Sequence, residues 1–140
     1  MIESEEVIRD IRIAVLIPCH NEELTIAKVV EDFYSILPEA VVFVFDNASE
    51  DRTSEVAQKA GARVYSEPNK GKGNVTKRMF ADVEADVYVI VDGDDTYEAT
   101  QCRKMVNKLL EENLDMVVAI RKAKDTINSY RWGHVFGNWM

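Results

Sequence analysis

What this sequence lacks narrows its chemistry before any motif does. Seventeen Lys and Arg stand against 25 Asp and Glu, a formal net charge of −8, and no basic run breaks that excess. A nucleic-acid-binding surface is therefore not expected. An anionic ligand would have to be held locally, by backbone N–H groups, a few basic side chains or a metal ion. There are only two cysteines, Cys19 and Cys102, and neither sits in a CxxC pair or a His-rich cluster. That excludes a disulfide scaffold and a zinc site, and leaves two buried free thiols in a reducing cytoplasm. No apolar run approaches the ~18 residues needed to span a bilayer. Residues 1–10 are acidic and have no apolar signal core, so export is not expected.

What is present has the size and balance of one folded domain, 140 residues of which 46% are hydrophobic and 30% charged. Short apolar runs at residues 11–17, 41–45 (VVFVF), 62–66, 87–91 (VYVIV) and 116–120 (MVVAI) predict five strands. Runs apolar throughout suggest strands covered on both faces, as in a parallel sheet. Between them lie helical stripes. Ile26, Val30, Phe33 and Leu37 mark the first, stopped by Pro38, and Thr53, Val56, Ala57 and Ala60 the second, capped by Gly61. Val75, Met79 and Val83 mark a third, and Cys102, Met105, Val106, Leu109 and Leu110 a fourth. The order β-α-β-α-β-α-β-α-β implies right-handed crossovers and an α/β sheet with helices on both faces. Residues 127–140 hold Tyr130, Trp132, Phe136 and Trp139 among glycines, and read as the start of a helix whose partners are missing. That exposed aromatic tail suggests a homodimer.

The polar residues collect at the carboxyl ends of these strands, where open α/β sheets bind ligands. The first strand runs into Pro18-Cys19-His20-Asn21-Glu22, the second into Asp46-Asn47-Ala48-Ser49, and the fourth into Asp92-Gly93-Asp94-Asp95. Two carboxylates two residues apart repel each other unless a cation lies between them. Mg²⁺ or Mn²⁺ suits such oxygens and shares them with phosphate. The competing reading is an acidic turn in which Asp95 or Thr96 caps the next helix. Asp46 can accept from a nucleobase N–H, and Ser49 can cap a helix; equally, the whole stretch can be capping alone. Asn69-Lys70-Gly71-Lys72-Gly73 offers free backbone and two lysines to a phosphate, or is an ordinary turn; it has neither Walker nor GxGxxG spacing. His20 has no ligand-spaced partner, so nucleotide contact or loop packing suits it better than metal binding.

Taken together, IAVLIPCHNEELTIAKVV, VFDNASEDRTSEVA, NKGKGNV and VDGDDTY resemble, in order and spacing, glycosyltransferase family 2, and within it the dolichol- and polyprenyl-phosphate sugar transferases. The resemblance covers about residues 11–121. It implies a GT-A fold, a Rossmann-like, mostly parallel sheet in incomplete form. It implies a UDP- or GDP-sugar donor and transfer with inversion to an acceptor such as a lipid-linked phosphate. It assigns Pro18, His20 and Glu22 to the nucleoside pocket and Asp46 to the base. Asp94 becomes the direct metal ligand, with Asp92 nearer the ribose or a metal-bound water, and Arg121 a contact to the donor phosphates. Lys70 and Lys72 are donor-binding candidates on a loop whose glycines also support the fold. Family members continue past this point with an acidic acceptor-side motif and often membrane-associated helices. In this chain Asp125 is the only acid of the tail, so no general base is expected, and donor binding is a safer expectation than turnover. The organisation expected is one nucleotide-sugar-binding domain over residues 1–140, with an acidic lead-in at 1–10 and residues 127–140 leading towards an acceptor-side region. A cytoplasmic protein, associated in a full-length form with the cytoplasmic face of a membrane, is implied.

Two rival readings stand beside this one. VYVIVDGDDTY also fits a haloacid-dehalogenase phosphatase, with Asp92 as nucleophile, Asp94 as acid/base and Mg²⁺ as cofactor, although that family carries this strand near its start. The chain can also be a non-catalytic nucleotide-binding module.

Overall fold

The computed structural model describes residues 10–120. Within them the order is β1 (Ile13–Cys19), α1 (Ile26–Ile36), β2 (Val41–Asp46), α2 (Thr53–Lys59), β3 (Arg63–Ser66), α3 (Lys72–Asp82), β4 (Val87–Ile90) and α4 (Ala99–Glu111). The four strands form one sheet in the order β3-β2-β1-β4, and every pairing is parallel. β1 is central and the most deeply buried: Ile13 to Ile17 are each at most 3% exposed.

The alternation of β1 splits the core in two. Ile13, Val15, Ile17 and Cys19 face one layer, where they meet Ile26, Val29, Val30 and Phe33 of α1, Ala57 of α2, and Cys102 and Val106 of α4. Ala14 and Leu16 face the other, against Val75 and Met79 of α3, with Phe43 and Phe45 of β2 beside them. This is the period-2 pattern of a strand covered on both sides. The helix placement follows from the strand order. From β1 to β2 to β3 the chain steps one way across the sheet with its helices on one face. From β3 it steps back past β2 and β1 to β4, and a right-handed crossover then puts α3 on the opposite face. Gly61 ends α2 with φ +101°, a left-handed conformation that glycine adopts without steric penalty.

The fifth strand is a correction. Residues 116–120 form no strand, and Met116, Val118 and Ile120 are 75%, 53% and 85% exposed. Apolarity made that run look like a strand, but strands form by pairing. Among the described residues nothing pairs with the outer edge of β4, where Tyr88 and Ile90 are also exposed. The aromatic tail, Arg121 and Asp125 lie outside the described residues. No helix among the described residues is long and apolar enough to cross a membrane.

Candidate functional site

The strand order reverses beside β1: β2 and β3 lie on one side and β4 on the other. A crevice for a ligand opens at the carboxyl end of such a switch point. At this point the loop after β1, residues 20–25, stands on one side, the near wall, and the Asp92-Gly93-Asp94 turn on the other, the far wall.

The near wall is built by two loops that satisfy each other's backbone. Asn21 N–H donates to Ser49 Oγ (2.9 Å), Glu22 N–H to Thr53 Oγ1 (2.8 Å) and Glu23 N–H to Asp51 Oδ2 (3.2 Å). In return Glu50 N–H donates to Asn21 Oδ1 (2.8 Å) and Arg52 N–H to Glu23 Oε2 (3.0 Å). Ser49 thus caps a neighbouring loop and not α2. Burial pushes the Asp51 carboxyl up, but bonds from the Thr53 hydroxyl and backbone and from the Glu23 backbone outweigh it and hold Asp51 below the usual carboxylate range.

Asn47, buried at 9% exposure, is the hub of this wall. Its N–H donates to Cys19 O (2.8 Å) and its carbonyl accepts from His20 Nδ1 (2.8 Å). Its side-chain amide donates to Glu67 O (3.0 Å) and Asn69 O (2.8 Å), while Oδ1 accepts from Gly71 N–H (2.9 Å). One residue therefore ties the exit of β1 to the exit of β3 and to the start of α3. Because a carbonyl only accepts, Nδ1 of His20 carries the proton. Nε2 then accepts from Asn21 Nδ2 (3.2 Å), whose amide is oriented by Glu50. Sequence reading passed over Asn47; an amide between a strand-end acid and a turn was the available signal.

Asp46 ends β2 at 8% exposure. Its Oδ1 accepts from Ser49 N–H (3.0 Å) and its Oδ2 from the Ser54 hydroxyl. Both oxygens thus already take one bond each, and a carboxylate has lone pairs for more.

The far wall is the turn that follows β4. A Cβ placed on Gly93 would lie 2.5 Å from Cys19 Sγ and 3.3 Å from Ile26 Cδ1, so only glycine fits the approach of this turn to β1. Asp94 Oδ1 accepts from Thr96 N–H (3.2 Å) and Thr96 Oγ1 (2.7 Å), and Tyr97 OH reaches Asp92 Oδ2 at 3.5 Å. Asp95 has φ +59° and pairs with Lys28 Nζ at 3.0 Å. The N-cap of α4 is Glu98, so neither Asp95 nor Thr96 caps that helix.

The two walls meet at their base, where Thr25 Oγ1 lies 2.6 Å from Gly93 O and Gly93 packs against Cys19. Burial raises the Cys19 thiol far above its ordinary value, and the charges of Glu22, Asp46, Asp92 and Asp51 push it further. Acids from the exits of β1, β2 and β4 thus act on one sulfur. Cys102 is raised to about 11, chiefly by burial; both thiols are free and buried, and neither is a nucleophile at neutral pH. The Glu22 carboxyl is raised by burial, then by the charge of Asp94, with smaller pushes from Asp92 and Asp51. Like charges crowd here, while the nearby Lys28 is held between Asp32 (2.6 Å) and Asp95. Among the described residues no three metal-ligating side chains converge into a closed cation site. Asp92 and Asp94 fit a hard divalent ion as a partial oxygen shell, with the remaining positions left to phosphate and water.

His20, Glu22, Asp46, Asp92 and Asp94 are therefore brought to one edge, around the exit of β1, with Pro18 half-buried in β1 opposite Phe45. Lys70 and Lys72 are exposed at the exit of β3, on the far flank from the Asp92-Gly93-Asp94 turn. At about 4.8 Å per strand spacing, roughly 14 Å of sheet separates β3 from β4. The lysines thus leave the sheet three strands away from the paired aspartates. Lys72 is the first residue of α3, and Gly71 before it has φ +132°.

Similar proteins bear on the same architecture. Residues 14–139 match the family described as Glycosyl transferase family 2. Protein RfbJ of Shigella flexneri is 55% identical over 122 residues, covering 87% of this chain and 95% of that protein. A dolichyl-phosphate hexose transferase of Haloferax volcanii is 32% identical over 112 residues, covering 80% of this chain and 49% of that longer protein. Among solved structures, glucosyl-3-phosphoglycerate synthase of Mycobacterium tuberculosis with Mn²⁺, UDP-glucose and phosphoglyceric acid superposes with TM-score 0.66 at 28% identity. The match covers 76% of this chain and 42% of the synthase. With its parallel sheet, its helices on both faces and its acids at the switch point, this chain belongs to glycosyl transferase family 2 and has the GT-A fold.

Proposed function

We propose that this chain binds a UDP- or GDP-sugar and supplies the donor side of a metal-assisted, inverting glycosyl transfer. The observation that carries the reading is the gathering of Glu22, Asp46, Asp92 and Asp94 from three strand exits at one edge of the sheet, around the end of its central strand. On this reading Asp46 and the loop around His20 take the nucleoside. About 10 Å away, two strand spacings across the sheet, Asp92 and Asp94 take the diphosphate end through Mg²⁺ or Mn²⁺. Such an ion neutralises the diphosphate as it leaves. The chain's own part is to hold the donor with its sugar directed out of the crevice, so that an acceptor oxygen attacks the anomeric carbon from the opposite face. Lys70 and Lys72 serve the donor's anionic surroundings from the flank. A lipid-linked phosphate is the acceptor class proposed, supported by the dolichyl-phosphate relative; being already anionic, it has little need of a base from this chain.

The test is calorimetric titration of the chain with UDP and with GDP, with and without Mn²⁺, in the natural sequence and in Asp94→Ala. The natural chain is expected to bind one of the two more tightly with metal. Asp94→Ala should lose that gain while keeping its thermal midpoint, because Asp94 is exposed and outside the core. An unchanged metal-dependent affinity in Asp94→Ala would remove the metal role. Mass detection of sugar transferred to a polyprenyl phosphate separates turnover from binding.

A further inference from the structure

We infer that Thr25 is a positioning residue for the Asp92-Gly93-Asp94 turn. The inference rests on the donor-binding reading above and extends it to a residue that touches neither donor nor metal. Thr25 is the N-cap residue of α1, a position where a threonine hydroxyl ordinarily accepts from the N–H groups of its own helix. Here it makes no such bond. Its Oγ1 donates instead to the carbonyl of Gly93 at 2.6 Å, across 68 residues of sequence. The oxygens of Glu22 are less favourable partners for the same proton, at 3.4 and 3.5 Å. The one proton of the Thr25 hydroxyl thus serves a turn on another strand, and no side-chain cap bond is made to α1.

The accepting carbonyl matters. It belongs to the planar peptide that joins Gly93 to Asp94, so fixing its oxygen fixes the plane from which Asp94 departs. Gly93 cannot compensate by packing, because it has no side chain and lies against Cys19, where even a Cβ would come within 2.5 Å of Sγ. One turn further along α1, Lys28 pairs with Asp95, but through an exposed ion pair of small expected worth. The half-buried Thr25 bond is the stronger of the two ties between α1 and the turn. Carboxylates that crowd a cation site must be held against their own repulsion before the cation arrives.

The experiment compares Thr25→Val, which keeps the shape without the donor, and Thr25→Ser, which keeps the donor. UDP is titrated calorimetrically with and without Mn²⁺, and thermal midpoints are taken alongside. Thr25→Val should lose roughly tenfold of the Mn²⁺-dependent gain in UDP affinity, the scale of one hydrogen bond. Its metal-free affinity should stay within about twofold, and Thr25→Ser should recover the gain. A purely structural role would lower both affinities together and would not be rescued by serine; that result overturns the inference, as does a full Mn²⁺ gain in Thr25→Val. If valine does not fold, Thr25→Ala is read against Thr25→Ser in the same way. A natural chain that shows no Mn²⁺ gain at all overturns the donor-binding reading itself and leaves the tether to a second measurement. Hydrogen exchange at the Val91 amide, which donates to Leu16 O at the base of the turn, is then the readout of the tether alone: faster exchange in Thr25→Val upholds it, and unchanged exchange removes it.

Discussion

The two walls of the crevice are built differently. The wall between β1 and β2 is laced: five backbone N–H groups of one loop or the other end on side chains of the facing loop. Asn47 then pins that wall to the exit of β3. The wall after β4 hangs from a strand that lies at the sheet's edge among the described residues, and the bonds described above tie it to α1 through Thr25 and Lys28. The difference teaches that a rigid ligand half-site can be made from ordinary loop capping, whereas a half-site of like charges depends on a few tethers and on close packing. Buried amides and hydroxyls stabilise the first. The second carries the repulsion that a cation would relieve.

The comparison can be broken most forcefully at the hub. Asn47→Ala leaves the Gly71 N–H and two carbonyls without their partner, and should cost about 3 kcal/mol in urea unfolding. A loss below about 1 kcal/mol would mean that water replaces the amide and that the near wall is not laced as described.

A somewhat smaller effect is expected at the far wall. Gly93→Ala drives a methyl onto Cys19 Sγ and should cost about 2 kcal/mol by overpacking. The double variant with Cys19→Ala should recover a good part of that loss, because the two sites are in contact. Strict additivity in the cycle would show that the turn gives way elsewhere.

The smallest effect has the opposite sign. The Glu22 carboxyl is raised in the folded chain, so the native state binds that proton more tightly than the unfolded state does. The destabilisation is absent below the ordinary Glu value of 4.5 and develops as pH rises past it through the raised native value. Glu22→Gln should therefore match the natural chain in acid and exceed it at neutral pH, by roughly 0.5 kcal/mol after allowance for solvent screening. Thermal midpoints across that pH range check it. Equal stability at all pH values would show that neither burial nor the acids of the facing wall load the Glu22 carboxylate.

Much of this was legible in the sequence. The four helices fall on the stripes that begin with Ile26, Thr53, Val75 and Cys102, and four of five expected strands form; covering on both faces explains the apolar runs of β1 and β2, whereas β3 and β4 are partly exposed. The fifth failed because MVVAI announces apolarity but not a partner, and pairing is decided by the rest of the sheet. The acids at three strand exits were visible as motifs. Their coming together was implied by parallel strands sharing one carboxyl edge. The roles of Asn47 and Thr25 were not legible: each acts through bonds to backbone atoms far away in sequence, and no local pattern records such a partner. Lys70 and Lys72 looked like phosphate ligands by composition, yet the strand order sets them on the flank away from the paired aspartates.

The central claim is that donor and metal lodge where β1 and β4 part. Amide NMR of the chain with UDP, titrated with small amounts of paramagnetic Mn²⁺, tests it most directly. Signals from residues 20–22 and 92–95 should broaden first, those of 70–73 later, and those of 84–86 at the opposite end of β4 last. Broadening centred on the Lys70–Lys72 loop, or no broadening that depends on UDP, would contradict it.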